Sequence, residues 1–307
     1  MRTATMWEWF RGRKSPTPIN ETPPSGPRLG AYRIERRIGQ GAATEVFLAQ
    51  DQRSGQWVAL KLLELGARPA SPEWHDALER FRREATVLRG LSHPGIVKVL
   101  DAGPSEQGAW MALEVVRGSD LSRYARPARL LPPPLVARTG ARIAQALAYA
   151  HRQGVVHRDV KPANVLVDWA SDTVKLSDFG LARMGEHTQT RSGVTLGSPD
   201  YMAPEQLAGG AVGPASDVYG LGASLFELLA GRRPHERDSL GALLRAVATE
   251  PAPDLQAMRP DLDPALVGVV MQTLVKDPAA RPANADELAA RLLVCAGNRG
   301  SHNTSTP

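Results

Sequence analysis

Two short stretches gather residue types suited to handling phosphate and a hard cation. HRDVKPANVLV occupies residues 157–167, and KLSDFGLAR occupies 175–183. Within them Asp159, Lys161, Asn164 and Asp178 set two acids, an amide and a lysine beside apolar runs of strand character. Unpaired charge is costly in such a setting, so these groups need partners. Mg2+, or Mn2+ in its place, would supply one, because such a cation needs only one or two carboxylates and completes its shell with phosphate oxygens and water.

A second candidate lies upstream. IGQGAATEV (38–46) has Gly39 and Gly41 at phosphate-loop spacing, with Thr44 where a third glycine would complete G-x-G-x-x-G. Alone, the stretch reads more readily as a plain turn. Its flanks narrow the choice. YRIERRI, EVFLAQD and WVALKLLEL read as three strands, joined by GQGAAT and QRSGQ. A dinucleotide-binding glycine motif leads straight into a helix. Here Val46-Phe47-Leu48 is strand chemistry, which excludes that reading.

The elements that must position these groups follow from periodicity. Trp74, Leu78, Phe81, Ala85 and Leu88 recur at helical steps over residues 72–89, with Ser71-Pro72 as the start signal. IVKVLDAG and AWMALEVV read as short strands. From Pro133 onward helices dominate, at about 133–152, about 215–230 (very apolar), and near 238–249, 264–275 and 284–294. A small β-rich part followed by a larger helical part predicts an α+β, two-lobed molecule with a cleft between the lobes. PTPINETPPSGP (16–27) reads as a linker, folded sequence is expected to begin near Tyr32, and GNRGSHNTSTP should fray.

In chain order, GQGAATEV, VALK, a helical glutamate, HRDVKPAN, DFG and APE resemble the signature set of the protein kinase family, from about Tyr32 to Leu293. The resemblance implies the bilobal kinase fold over residues 32–294, with an N-lobe (32–113), a hinge (114–118) and a C-lobe (119–294). A basic, proline-rich leader (1–31) and a disordered tail (295–307) would flank it. It also implies a serine/threonine protein kinase of bacterial type, using ATP with Mg2+ or Mn2+ and phosphorylating its own activation segment, with a dimer as one route to doing so in trans.

By the same resemblance, Asp159 is the catalytic base, Lys161 neutralises the transferring phosphoryl group, and Asn164 and Asp178 hold the metal. Lys61 contacts the α- and β-phosphates. Glu84 borders the apolar face of its helix between Phe81 and Leu88, so it is the expected partner of Lys61, with Glu79 as runner-up. Ile38, Gly39, Gln40, Gly41, Ala42, Ala43, Thr44, Glu45 and Val46 form the flap over the phosphates. Leu113 gates the adenine pocket, backbone groups of Glu114 and Val116 bond the base, and Val46, Ala59 and Leu166 sandwich it.

MGEHTQTRSGVTLGSPDYM, between DFG and APE, resembles an activation segment. Arg158 is the expected clamp for a phosphate on it. Of Thr188, Thr190, Ser192 and Thr195, the distance before Gly197 favours Thr190 and Ser192. Ser198 replaces the family's usual threonine but keeps the hydroxyl expected to reach Asp159 and Lys161. Glu205 is expected to pair with Arg281, Asp217 to brace the catalytic loop, and Tyr219 replaces a common tryptophan. By the same resemblance, lysine at 161 in HRDVKPAN implies serine/threonine specificity. Two other readings stand beside this one: a pseudokinase scaffold, which usually lacks the lysine, the base or the metal aspartate, and a small-molecule kinase, which lacks the activation segment and APE.

Composition sets the outer bounds. The 307 residues are 42% hydrophobic and 22% charged, ordinary for a folded protein. A single cysteine, Cys295, excludes an internal disulfide and a cysteine-pair zinc site, and fits a reducing cytoplasmic compartment. The longest apolar stretch, Leu262–Val275, is too short for a membrane span. The net charge of +5 is assigned mainly to the leader, where Arg2, Arg11, Arg13, Lys14 and Arg28 face only Glu8 and Glu21. WEWFRGRK there could meet an acidic or membrane surface. With no basic binding module visible, nucleic acid is not an expected partner.

Overall fold

The strand-like stretches before Leu65 fold as an antiparallel meander, whose third strand alternates between two buried faces. The computed structural model describes residues 27–41, 44–65, 67, 69–106, 108–179 and 198–297. Strands β1 (Arg28–Leu29), β2 (Tyr32–Gln40), β3 (Thr44–Asp51), β4 (Trp57–Glu64), β5 (Val99–Ser105) and β6 (Gly108–Glu114) form one sheet in the order β1-β2-β3-β4-β6-β5. In β4, Val58, Leu60 and Leu62 enter an outer core with Tyr32, Ile34, Phe47, Ala49 and Ala112. The intervening residues, Ala59, Lys61 and Leu63, take the opposite face by the two-residue period of a strand. Register therefore decides which side of the sheet carries the lysine, and β4 pairs Val46 with Lys61 and Lys61 with Met111.

Helix α1 (Pro72–Gly90) closes that inner face. Ser71 Oγ accepts the amide of Trp74 at 3.2 Å, and Pro72 occupies the first turn, where its missing N–H costs nothing. Leu78, Phe81, Ala85 and Leu88 are buried against β5 and β6.

The helical lobe is built around α2 (Pro133–Arg152) and α4 (Pro214–Ala230), with α3 (Pro204–Leu207), α5 (Leu240–Thr249), α6 (Leu255–Met258), α7 (Pro264–Thr273) and α8 (Ala285–Gly297) packed about them. Every residue of α4 from Ser216 to Leu229 is buried, as its very apolar composition predicts, and the run takes Ser216, Asp217, Ser224 and Glu227 inside with it. A Cβ at Gly222 would lie 1.7 Å from Thr273 Oγ1, so glycine there sets the α4–α7 approach. A small second sheet, β7 (Ser119–Asp120), β8 (Val165–Asp168) and β9 (Thr173–Leu176), sits under the large one. Val97 N donates to Leu176 O (2.9 Å) and Leu176 N to Gly95 O (2.8 Å), which fastens the upper lobe's chain to β9.

Most helix limits fall within two residues of those expected from periodicity. Three departures have physical causes. Strand pairing starts at Arg28, four residues before Tyr32, since Arg28 and Leu29 extend the sheet along β2. Helix α8 continues to Gly297, past the expected domain end at 294, because Cys295 is buried (7% exposed) against the main core. The four-residue α3 and α6 carry too little pattern to be read. Leu262–Val275 is an interior segment containing α7, and no helix among the described residues is long and apolar enough to cross a membrane. Residues 1–26, Ala42, Ala43, most of the segment after Phe179 (including Thr188, Thr190, Ser192 and Thr195) and the end from 298 lie outside the described residues.

Candidate active site

The groups singled out at 159, 161, 164 and 178 come together on the turns around β8 and β9. Lys161 Nζ donates to Asp159 Oδ2 at 2.6 Å and to Ser198 Oγ at 2.8 Å. Asn164 Nδ2 donates to Asp159 O (2.8 Å) and Asp159 Oδ2 (3.0 Å). Both amide hydrogens of Asn164 are thereby used. Among the described residues, neither Asn164 Oδ1 nor Asp178 Oδ2 accepts a hydrogen bond, which leaves two oxygens as acceptors for a cation. That donor set fits a hard divalent ion that takes its other ligands from phosphate and water. No group of three or more His, Cys, Asp or Glu that could hold a metal ion occurs among the described residues.

The backbone beneath these side chains is strained at two places. Arg158 and Asp178 have φ of +70° and +66°, conformations that cost roughly 1–3 kcal/mol each in non-glycine residues. Asp217, 1% exposed at the start of α4, offsets part of this cost. Its carboxylate accepts from His157 N at 2.8 Å and Arg158 N at 2.7 Å, and His151 Nε2 donates to it at 2.7 Å. Gln206 Nε2 donates to Arg158 O at 3.0 Å. His157 Nδ1 accepts from Asp159 N (3.2 Å), so its proton sits on Nε2 and is donated to Ser177 O (2.7 Å). One imidazole thus spans the two motifs that carry Asp159 and Asp178, and its ring meets the edge of Phe179 at 4.5 Å. Sequence reading singled out none of His151, His157 or Gln206. The histidine of HRD was the one visible signal.

Lys61 is 6% exposed, so its ammonium needs an anion. That anion is Asp178, whose Oδ1 lies 2.8 Å from Lys61 Nζ. This corrects the expected Lys61–Glu84 pair: among the described residues, Lys61 has Asp178 and not Glu84 within 4.0 Å. The positive-φ turn at Asp178 brings a carboxylate to the lysine from below, while Glu84 stays at the half-buried edge of α1. Within the flap hairpin, Glu45 pairs with Arg37 at 3.2 Å. Of the remaining flap residues, Gln40 and Gly41 are exposed, as is Ile38 at 43%. Gly41 N donates to Thr44 O at 2.8 Å, and a Cβ on Gly41 would come 2.7 Å from Thr44 Oγ1. Thr44 therefore closes the hairpin with its hydroxyl against the glycine.

Val46, Ala59, Leu113, Val116 and Leu166 line up along β3, β4, β6 and β8 and the connection between the lobes, where β4 pairs Ala59 with Leu113. The Glu114 side chain turns to the rear, accepting from Lys98 N at 2.7 Å and pairing with Lys175 at 2.5 Å. Behind Leu113, a cavity of about 20 Å³ is bounded by Leu88, Met111, Asp178 and Phe179.

Below the cleft, Arg281 is 3% exposed and uses all five of its N–H groups. Two reach the Glu205 carboxylate at 2.8 and 2.9 Å, and three reach the carbonyls of Val275, Ala215 and Lys276. Its guanidinium lies 5.0 Å from the Tyr219 ring centroid, so tyrosine supplies the aromatic face at that position. Burial alone would raise the Glu205 pKa, but the bonds from Arg281 and Ser216 hold it below the ordinary value.

The protein kinase domain family matches residues 32–293. The chain is 36% identical over 272 residues to the serine/threonine-protein kinase pkn3 of Myxococcus xanthus, covering 85% of this chain and 49% of that protein. It is 37% identical over 292 residues to PknA of Mycobacterium tuberculosis, covering 91% and 64%. The chain spans from about two fifths to two thirds of the length of the curated relatives it matches. Among solved structures it resembles the Mycobacterium tuberculosis PknI kinase domain, at 33% identity and a TM-score of 0.71, covering 89% of this chain and all of that one.

Proposed function

The chain belongs to the protein kinase family, and from that premise we propose that it transfers the γ-phosphate of ATP to serine and threonine hydroxyls of proteins. The observation that carries this reading is Lys161, which bridges Asp159 and Ser198 within 2.8 Å. One ammonium ties the proposed base to the segment that leads into the acceptor side of the cleft.

In this reading Asp159 orients the acceptor hydroxyl and takes its proton as the bond to phosphorus forms. Lys161 balances charge on the phosphoryl oxygens. Lys61 holds the α- and β-phosphates, and the hairpin from Ile38 to Val46 covers them. Asn164 Oδ1 and the Asp178 carboxylate are the ligands for Mg2+ or Mn2+, which when bound neutralises phosphate charge. Val46, Ala59 and Leu166 are the walls for adenine, and the Glu114–Val116 backbone its hydrogen-bonding edge. Asp217, Glu205 and Arg281 hold the loop and the helical lobe in register. The proposal extends to residues 32–294 as the catalytic unit, to Thr190 and Ser192 as self-phosphorylated positions clamped by Arg158, to a dimer for reaction in trans, and to a cytoplasmic site of action.

The test uses purified protein, Mg-ATP and myelin basic protein as acceptor. Transfer is expected, and Asp159→Asn should reduce kcat by at least about 100-fold while nucleotide binding persists. Transfer that is unaffected by Asp159→Asn would overturn the assignment. Mass spectrometry of the self-reacted protein should find phosphate on Thr190 or Ser192. Phosphate confined to other residues would remove those two.

A further inference from the structure

The net charge of +5 conceals a strong polarity within the folded chain. Residues 117–158 hold eight arginines against one acid, Asp120, whereas residues 200–287 hold thirteen acids against seven Lys and Arg. The assignment of excess charge mainly to the leader is therefore incomplete, because the two folded blocks largely cancel in the sum. Of the eight arginines, Arg142 pairs with Asp172 and Arg152 with Asp286. Arg117, Arg123, Arg126, Arg129 and Arg138 are exposed, and none makes an ion pair among the described residues. Asp120 does not offset them, since its Oδ1 caps the following turn by accepting from Ser122 N at 2.9 Å.

Four of these arginines lie on a continuous path beside the cleft. Arg117 leaves the connection after Val116. Strand β7 pairs with β8, and the turn 121–124 packs on the turn 162–164 that carries Asn164. Trp169 Nε1 donates to Tyr124 OH at 2.9 Å and fixes that turn to the β8–β9 hairpin. The next turn, Pro127–Arg129, rests on the end of α4, where a Cβ at Gly231 would meet the Pro127 ring at 3.0 Å. Two residues beyond Gly231, Arg233 pairs with Asp200 at 2.7 Å, on the segment that follows Ser198. Arg117, Arg123, Arg126 and Arg129 thus follow the C-lobe rim from the inter-lobe connection towards the acceptor side.

We propose that this belt recruits protein substrates through a run of aspartates and glutamates beside the accepting serine or threonine. The proposal deepens the kinase reading and rests on it. Guanidinium groups are weakly hydrated and offer forked donors that match carboxylates, so exposed arginines that make no ion pair suit an acidic peptide, with Arg117 contributing least because Asp168 already lies within its field. A positive rim also steers an acidic chain towards the cleft and sets its register. A long polyanion fits less well, because beyond Arg129 the next cations, Arg232 and Arg233, are already paired with Glu236, Asp200 and Glu227.

The experiment uses the full chain with Mg-ATP and four synthetic peptides sharing one threonine acceptor. One is neutral, one carries acids before the threonine, one carries acids after it, and one is basic. At least one acidic peptide should exceed the neutral one in kcat/KM by about ten-fold, and the gain should shrink between about 50 and 300 mM salt. Arg126→Glu with Arg129→Glu should remove most of the gain and leave neutral-peptide turnover unchanged. Arg126→Gln with Arg129→Gln should remove part of it, which separates charge from misfolding. Equal use of all four peptides, or an acidic preference that survives charge reversal and salt, overturns the proposal. So does the absence of a preference together with belt-dependent binding to vesicles of equal phosphatidylcholine and phosphatidylglycerol. No transfer to any peptide and no self-phosphorylation would instead bring down the kinase reading.

Discussion

At the scale of single residues, the site depends on a few oxygens and two lysines held by backbone that would otherwise relax. Gly41 and Thr44 give the most local prediction. The 2.7 Å approach that a Cβ on Gly41 would make to Thr44 Oγ1 means that Gly41→Ala should raise the KM for ATP several-fold. Adding Thr44→Ala removes the offending atom and should restore much of the loss, a coupling that a double-mutant cycle measures. Independent effects at the two positions would show that the hairpin tip relaxes freely. Asp159, Lys161, Asn164, Asp178, Lys61, Glu205 and Arg281 were all legible as residues because their spacing is tied to short motifs. Their pairings were less so. Glu84 was assigned to Lys61 from helix phase, yet the ion pair goes to Asp178 through a φ of +66°. Glu45 likewise has a partner, Arg37 across the hairpin, that its place in the motif did not reveal. Nothing in the residue types at these positions encodes the dihedral or rotamer that decides between two available charges.

Between elements, the most constrained contact is α4 against α7. Gly222→Ala would drive a methyl into Thr273, and overpacking of this kind costs about 1–3 kcal/mol or more, readable as a lower Tm. An unchanged Tm would mean that the two helices slide apart easily. A titratable contact joins the α4–α5 connection to the turn after α7, where Lys276 Nζ lies 3.3 Å from His235 Nε2 and donates to Val247 O at 2.7 Å. Burial, with Lys276 and Arg237 nearby, lowers the His235 pKa to about 4. Between that value and its ordinary 6.5, the unfolded chain binds more protons, so stability falls as pH drops through this window. The loss attributable to His235 is at most about 3 kcal/mol, and His235→Gln should make the stability profile flatter there. Burial and Arg281 lower Lys276 to about 8, so stability should rise as pH climbs from about 8 towards 10.5, a slope that Lys276→Met should remove. The major helices and strands could be read from periodicity, but this contact could not, because it joins residues 41 positions apart in loops without a pattern.

Across the whole molecule, the two lobes meet at few covalent crossings, so ligands that touch both should stabilise the fold. A non-hydrolysable ATP analogue with Mg2+ at about 100 times its Kd should add about 2.7 kcal/mol of stability and raise Tm. Asp178→Asn should cut the Mg2+-dependent part of that rise, and a full rise in the variant would remove Asp178 from the metal site. The two-lobed architecture was readable from the order of strand and helix patterns, whereas the charge polarity was hidden by averaging over the chain. Lys61 and Asp178 belong to opposite sides of the cleft, and each already neutralises the other. Loading the cleft is then a change of partners and not a simple addition. An anion arriving alone leaves the aspartate without its counter-charge, and a cation arriving alone does the same to the lysine. Nucleotide and metal are thereby linked by mutual dependence, each expected to tighten the other by the same factor.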